Sequence, residues 1–497
     1  MKMLLVLIMV LCFMNSSVLV SAADNDVYTY TYDFFEDYQN SPNPYEVLST
    51  ISYESLGLDK QWSKPQGLFI RDNMIYICDT GNNRILQIER DEDKFTLVRV
   101  IDSFTGDTDP LTFSGPSDIY VTETGEMFIC DTNNYRVVKI DADLNYMLSF
   151  VKPTDTTFDQ SLSYLPSKIV VDSVGRAFVL ATNVNKGLIK YESDGTFTGF
   201  VGATEAKYSM YDYLWKLVST QAQQAQMANF VPTEYDNIYM DADGFIYAVT
   251  THFDEDDIRG DTAKPIRRLN SMGSDILIRN GNEPPIGDLY WDDAAGMDGP
   301  SKLIDITALE NDIYVAVDRT RGKIFGYDSQ GNLLYVFGGH SNMEGYFLTP
   351  SAIEHMGNDL LVLDSENCTL TVMKTTTYGN YIYEAIDLYQ KGKYEESANV
   401  WRKVLTLNGN YDMAYIGIGR ALIRTGEYKQ AMEYFEITWD DVNYGKAFKL
   451  YRKEWIEDHI VQIFIGAFLI LVLPLIIGKV KKIKGEVEKY EHDRTHN

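Results

Sequence analysis

The sequence predicts a mainly β protein: six copies of a short-strand repeat, then a small helical module and one transmembrane helix. Three observations predict it. Residues 65–88 read PQGLFIRDNMIYICDTGNNRILQI, three apolar runs of strand length separated by polar turns. The pattern returns five more times, which marks a repeat array. Beyond residue 376 the periodicity becomes helical, and residues 460–478 carry no charged side chain.

In the first repeat Pro65 and Gly67 open the first run, Tyr76 and Asp79 close the second, and Asn82 and Arg84 lead into the third. Residues 116–140 keep Phe128, Asp131, Asn134 and Arg136 in register. Residues 166–191 keep Gly175 and Phe178 but carry Ala181 and Lys186 in place of the Asp and Arg. Residues 235–269 keep Gly244 and Tyr247 and have Thr250 for the Asp. Residues 300–327 show Tyr314, Asp318 and Arg321, and residues 350–373 show Leu361 and Asp364 without an Arg. The set Pro65, Gly67, Tyr76, Asp79, Asn82 and Arg84 resembles the NHL repeat, a β-propeller blade. The resemblance implies a six-bladed β-propeller over residues 61–376.

The repeat residues have structural reasons to recur. Pro sits where no ladder donor is required, and Gly permits positive φ at a turn. Asp and Arg at fixed offsets bond one another and nearby turn amides. Asp79 with Arg84, Asp131 with Arg136 and Asp318 with Arg321 are therefore assigned to locking blade corners. The Asp-equivalent positions on either side of Thr250 lie 69 and 68 residues away, so insertions flank the fourth repeat. The first insertion contains residues 205–229, rich in Ala, Gln and Met, which read as a helix.

The segment 23–60 is aromatic and acidic. Tyr28, Tyr30 and Tyr32 alternate as a strand does, and the segment is assigned to closing the ring by pairing with the last blade, which removes an exposed sheet edge. Residues 1–22 read as a secretory signal peptide, with Lys2, an apolar core and Val20-Ser21-Ala22. Cys12 lies in that leader. Cys78, Cys130 and Cys368 are too few and too odd in number for a disulfide framework, and Cys78 and Cys130 read as buried apolar fillers.

Over residues 377–458 Ala385, Gly392, Tyr394, Ser397 and Trp401 are echoed 34 residues later by Gly419, Gly426, Tyr428, Ala431 and Phe435. This period, with small residues at crossing points, resembles tetratricopeptide repeats. A transmembrane helix is assigned to residues 459–478, long enough to cross a bilayer. Lys479, Lys481, Lys482 and Lys484 follow at once, which places the tail 479–497 in the cytoplasm and the rest outside the cell.

Charge and motifs bound the function. The formal net charge is −28, which excludes nucleic acid as a partner because phosphates would be repelled. No HExxH or EF-hand pattern occurs. The acidic loop 252–261 offers Asp254, Asp256 and Asp257 as candidate Ca²⁺ ligands, against the alternative of a solvated loop; no other cofactor is expected. The third residue of each blade start varies, and in a propeller these positions gather at one mouth of the channel. Asp118, Lys168, Asn237 and Lys302 are the candidate ligand-binding residues, since varied polar groups on a fixed frame suit recognition. Strand-start polarity alone is the alternative.

With no catalytic constellation in view, the expected function is a membrane-anchored extracellular binding or scaffold protein that engages a protein partner or carbohydrate. The layout of leader, propeller, helical repeats, membrane helix and basic tail resembles proteins that accompany bacterial sugar-uptake ABC transporters. That resemblance implies a permease or solute-binding protein as partner. The alternative is an enzyme: some related propellers are metal-dependent lactonases or lyases.

Overall fold

A computed structural model describes residues 29–35, 37–182, 184–202, 235–251, 253, 257, 263–281, 284–290 and 299–495. The leader 1–22, the helix expected at 205–229, and Asp254 and Asp256 lie outside the described residues.

Alternating apolar residues produce short antiparallel strands. The chain begins with β1 (Tyr30–Tyr32), β2 (Tyr38–Asn40) and β3 (Tyr45–Ile51). Blade one is β4 (Gly67–Arg71), β5 (Met74–Asp79), β6 (Arg84–Asp91) and β7 (Lys94–Ile101). Blade two is β8 (Pro116–Val121), β9 (Met127–Asp131), β10 (Arg136–Ile140) and β11 (Tyr146–Val151). Blade three is β12 (Leu165–Val171), β13 (Ala177–Thr182), β14 (Leu188–Tyr191) and β15 (Phe197–Val201). Blade four has β16 (Asn237–Met240), β17 (Ile246–Val249) and β18 (Ile266–Leu269). A ribbon, β19 (Leu289–Tyr290) with β20 (Gly299–Pro300), precedes blade five, which is β21 (Leu303–Ala308), β22 (Tyr314–Asp318), β23 (Lys323–Tyr327) and β24 (Leu333–Gly338). Blade six is β25 (Pro350–Met356), β26 (Asp359–Asp364) and β27 (Thr369–Thr375), with β3 as its outer strand. The fold is a six-bladed β-propeller.

The motif shows three strands per repeat, whereas blades one, two, three and five add a fourth of their own. The added strand is outermost and pairs on one side only in blades one, two and three, whereas in blade five β24 is flanked by β1. In β7 exposed and half-buried residues alternate, so it lacks the continuous apolar run that marks the inner strands.

Blades meet face to face, and the period of two sends alternate residues of one strand to opposite neighbours. In β5, Ile75 and Ile77 pack with Leu361 and Leu363 of blade six. Tyr76 and Cys78 pack with Ile119 and Ile129 of blade two. Cys78 and Cys130 are fully buried free thiols. The ring is completed by β3, which pairs antiparallel with β27 from Tyr45 opposite Thr375 to Ile51 opposite Leu370. The tyrosine strand β1, expected on the last blade, lies instead on blade five against β24. It is held there by the phenol hydroxyls of Tyr30 and Tyr32, which donate to the fully buried Asp288 at 2.6–2.7 Å.

Five helices follow: α1 (Thr377–Gln390), α2 (Tyr394–Leu407), α3 (Asp412–Thr425), α4 (Tyr428–Ile437) and α5 (Asp441–Thr495). The chain divides into two compact units. One holds the propeller with residues up to 383 and 406–411; the other holds 384–405 and 412–497. Within the second, small residues sit where helices cross. A Cβ on Gly417 would fall 2.3 Å from Trp401 Nε1, and one on Gly419 would fall 2.6 Å from the Phe435 ring. Gly392 and Gly426 take φ of +76° and +90° just past their helices, the left-handed turn that ends a helix most easily at Gly. The last helix, α5, runs 55 residues without a break through Pro474. Its apolar stretch is exposed and long enough to cross a membrane.

Candidate functional site in the central channel

The corner residues come first because they fix where the inner strands start. Asp79 is fully buried. Its Oδ2 pairs with Arg84 Nε at 2.7 Å and accepts the Asn82 amide at 2.8 Å, while Oδ1 accepts the Ser63 N–H at 2.7 Å. Asp131 repeats this with Arg136 at 2.9 Å, Asn134 at 2.9 Å and the Ser114 N–H at 2.7 Å. Each Asp so ties the two-strand corner to the loop entering its own blade. In blade five Asp318 accepts the Lys302 N–H at 3.1 Å, but Arg321 reaches it only at 3.4 Å. The residue cross-strand from Asp318, where blades one and two have their Arg, is Lys323. Its ammonium goes instead to Asp288 and Tyr30, both at 2.7 Å. Asp364 accepts the Leu348 N–H and the Asn367 amide.

The six inner strands β4, β8, β12, β16, β21 and β25 each touch the next, and β25 touches β4. They form the wall of the channel. One register position recurs, opposite the residue just before the corner position: Gly67 opposite Cys78, Asp118 opposite Cys130, Lys168 opposite Leu180, Asn237 opposite Val249, Asp305 opposite Val317 and Ala352 opposite Leu363. Asp118, Lys168 and Asn237 therefore share this ring. Lys302 does not. It precedes β21 and serves the Asp318 corner through its backbone, and Asp305 takes the place assigned to it. Pro300 misled the alignment because it belongs to the ribbon, not to an inner strand. Counting back from the corner would have found Asp305: Asp118 and Asp305 each lie 13 residues before their Asp.

Around this ring, charge is concentrated and shielded from water. Lys168 Nζ lies 3.7 Å from Asp118 Oδ1. Asp118 Oδ2 accepts the Ile169 N–H at 2.9 Å, from the next blade. Asp305 accepts the Ile306 N–H and, from the next blade, the Ile353 N–H, both at 2.8 Å. Burial raises the Asp118 carboxyl above its ordinary range, opposed by Lys168. Burial pushes Asp305 up to about 7, again opposed by Lys168. Burial works against the Lys168 ammonium, yet Asp118 and Asp305 hold it above its ordinary value.

Two residues further along the strands lie Phe69, Tyr120, Val170, Tyr239, Thr307 and Glu354. The rings of Phe69 and Tyr120 are 4.9 Å apart on one side. On the other, Thr307 Oγ1 is 3.2 Å from Glu354 Oε2 and 2.7 Å from His355 Nδ1. Burial, then Asp305, holds Glu354 well above the carboxylate range. Burial lowers His355 to about 4. The Thr307 hydroxyl donates to Glu354 Oε2 and sits between that carboxyl and the His355 ring. Asp305 was missed because the repeat was aligned on Pro300; Glu354 and His355 were missed because no local motif marks residues that meet only by ring closure.

Among the described residues no three His, Cys, Asp or Glu side chains converge as metal ligands. Of the acidic-loop candidates only Asp257 is described, and its carbonyl accepts the Ala263 N–H at 3.0 Å.

No protein-family model matches the chain. NHL repeat-containing protein 3 of Mus musculus is 29% identical over 142 residues, covering 26% of this chain and 40% of that protein. The propeller is NHL-repeat related. The match spans less than half the length of that relative. Among solved structures, a streptogramin B lyase aligns with a TM-score of 0.38 at 11% identity, covering 66% of this chain and 98% of that one. Virginiamycin B lyase from Staphylococcus aureus gives 0.35 at 14%, covering 67% and 89%. A protein of unknown function from Bacteroides thetaiotaomicron gives 0.40 at 12%, covering 70% and 76%.

Proposed function

We propose that this chain is a membrane-anchored binding protein that presents its propeller channel outside the cell to a protein partner or carbohydrate. The observation that carries the reading is the set of unlike polar residues, Asp118, Lys168, Asn237 and Asp305, on four of the six equivalent inner strands. The corner aspartates are consumed by structure; this ring varies from blade to blade, as a recognition surface does. The apolar run in α5 followed by four lysines supports a single-pass anchor with its tail inside. The echo of helical hairpins at 34 residues supports a tetratricopeptide-like module as a second docking element. Accompaniment of a sugar transporter is the partner reading that this layout favours. The test is mild cross-linking of the full-length protein in its native membrane, capture and mass spectrometry, beside a glycan array. Recovery of a permease or solute-binding protein, lost in Lys168→Gln, supports the reading; unchanged recovery in that variant removes the channel from it.

A second reading, acid–base enzyme, is favoured by one observation only: the Glu354, Thr307 and His355 chain has an acid at one end and a base at the other. Turnover lost in His355→Gln with folding intact would support it.

A further inference from the structure

Charge reverses across the apolar run of α5. Nearest its N-terminal side stand Glu454, Glu457 and Asp458, preceded by Arg452 and by Lys453, which pairs with Glu457 at 3.8 Å, and Trp455 stacks on His459 at 4.6 Å. From residue 460 to 485 there is no acidic side chain, and on the C-terminal side Lys479, Lys481, Lys482 and Lys484 fall within six residues. All four are exposed, and no ion pair among the described residues engages them.

The helix decides how they are arranged. At about 100° and 1.5 Å per residue, the four point near 0°, 200°, 300° and 140° within roughly 7.5 Å of axis. They encircle the helix; none of the gaps between neighbours exceeds about 140°. Val480 and Ile483, both exposed, fill the widest gap. A protein partner reads one face of a helix, whereas a bilayer leaflet surrounds it. A collar at the end of an apolar span therefore matches headgroups on every side, and its positive charge matches anionic ones.

We propose that Lys479, Lys481, Lys482 and Lys484 form a collar that binds the phosphate groups of anionic lipids in the inner leaflet. The proposal rests on the reading of residues 460–478 as a membrane span. Up to four phosphates bind at the collar's perimeter, and binding weakens with salt because the sites are exposed.

The full-length protein is reconstituted in vesicles of mixed phosphatidylcholine and phosphatidylglycerol, and its insertion is checked by resistance to alkaline carbonate. Lipid retained after mild detergent extraction is then quantified. Wild type is expected to resist carbonate and to retain phosphatidylglycerol at roughly fivefold its bulk ratio. The variant Lys479→Gln/Lys481→Gln/Lys482→Gln/Lys484→Gln is expected to stay inserted and retain the bulk ratio. An inserted wild type with the variant's lipid ratio overturns the collar and leaves the span standing. A wild type extracted by carbonate overturns both. Loss of phosphatidylglycerol on adding inorganic phosphate at constant ionic strength assigns the lysines to a free anion and overturns the lipid assignment.

Discussion

Asp79 and Asp131 each satisfy an arginine, an asparagine amide and a backbone N–H from a fully buried position. Removing the carboxylate orphans all three. Asp131→Ala should cost about 3–5 kcal/mol, read as a lower midpoint in denaturant unfolding. Arg321→Ala should cost clearly less, because its contact with Asp318 is 3.4 Å. The motif made these pairs legible, since Asp and Arg sit five residues apart in one strand-turn-strand. Lys323 was not legible: its partners Asp288 and Tyr30 are 35 and 293 residues away. The channel groups carry opposed pH dependences. Asp305 is raised to about 7, so its contribution is fully present below the ordinary carboxylate range and is lost as pH rises through 7. His355 is lowered to about 4, so its contribution is present above about 6.5 and is lost as pH falls toward 4. Stability should fall between pH 5 and 8 by on the order of 3 kcal/mol from Asp305. Urea titrations across this range should show a flatter neutral limb for Asp305→Asn and a flatter acid limb for His355→Gln. Unchanged slopes would show that these groups are solvated in the native state.

At the scale of elements, two close approaches govern packing. A Cβ on Gly67 would lie 2.6 Å from the Ser117 carbonyl oxygen, so β4 approaches β8 only with Gly there. Gly67→Ala should lower the melting temperature by several degrees, as a misfit of roughly 1–3 kcal/mol does. The strand β3 closes blade six, with Ile51 buried against Leu370 and its neighbours. Deleting residues 45–51 should leave β27 as a bare edge and drive association, visible by light scattering at micromolar protein. The inner three strands of each blade were legible as apolar runs. The outer strands were not, because alternating half-exposed residues such as those of β7 resemble a polar connection. In the helical unit the spacing of Gly419 and Phe435 was legible, and the crossing of Gly417 with Trp401 was not, since it joins different echoes of the repeat.

For the whole molecule, the proposed single span predicts an asymmetric outcome. Protease added to intact cells should remove the propeller and leave a membrane-held fragment bearing a C-terminal tag. Loss of the tag with the propeller protected would invert the orientation. The amino-acid sequence by itself determined the repeat count, the corner pairs, the apolar run of α5 and its lysine flank, because each is a local pattern whose physics acts within a few residues. The shared place of Asp118, Lys168 and Asn237 was also legible, but only the tertiary structure put Asp305 there instead of Lys302 and set Glu354 and His355 beside them. Asp118, Lys168 and Asp305 lie in three different blades, and Glu354 in a fourth. Ring closure brings them together, and low-dielectric burial then sets their charges.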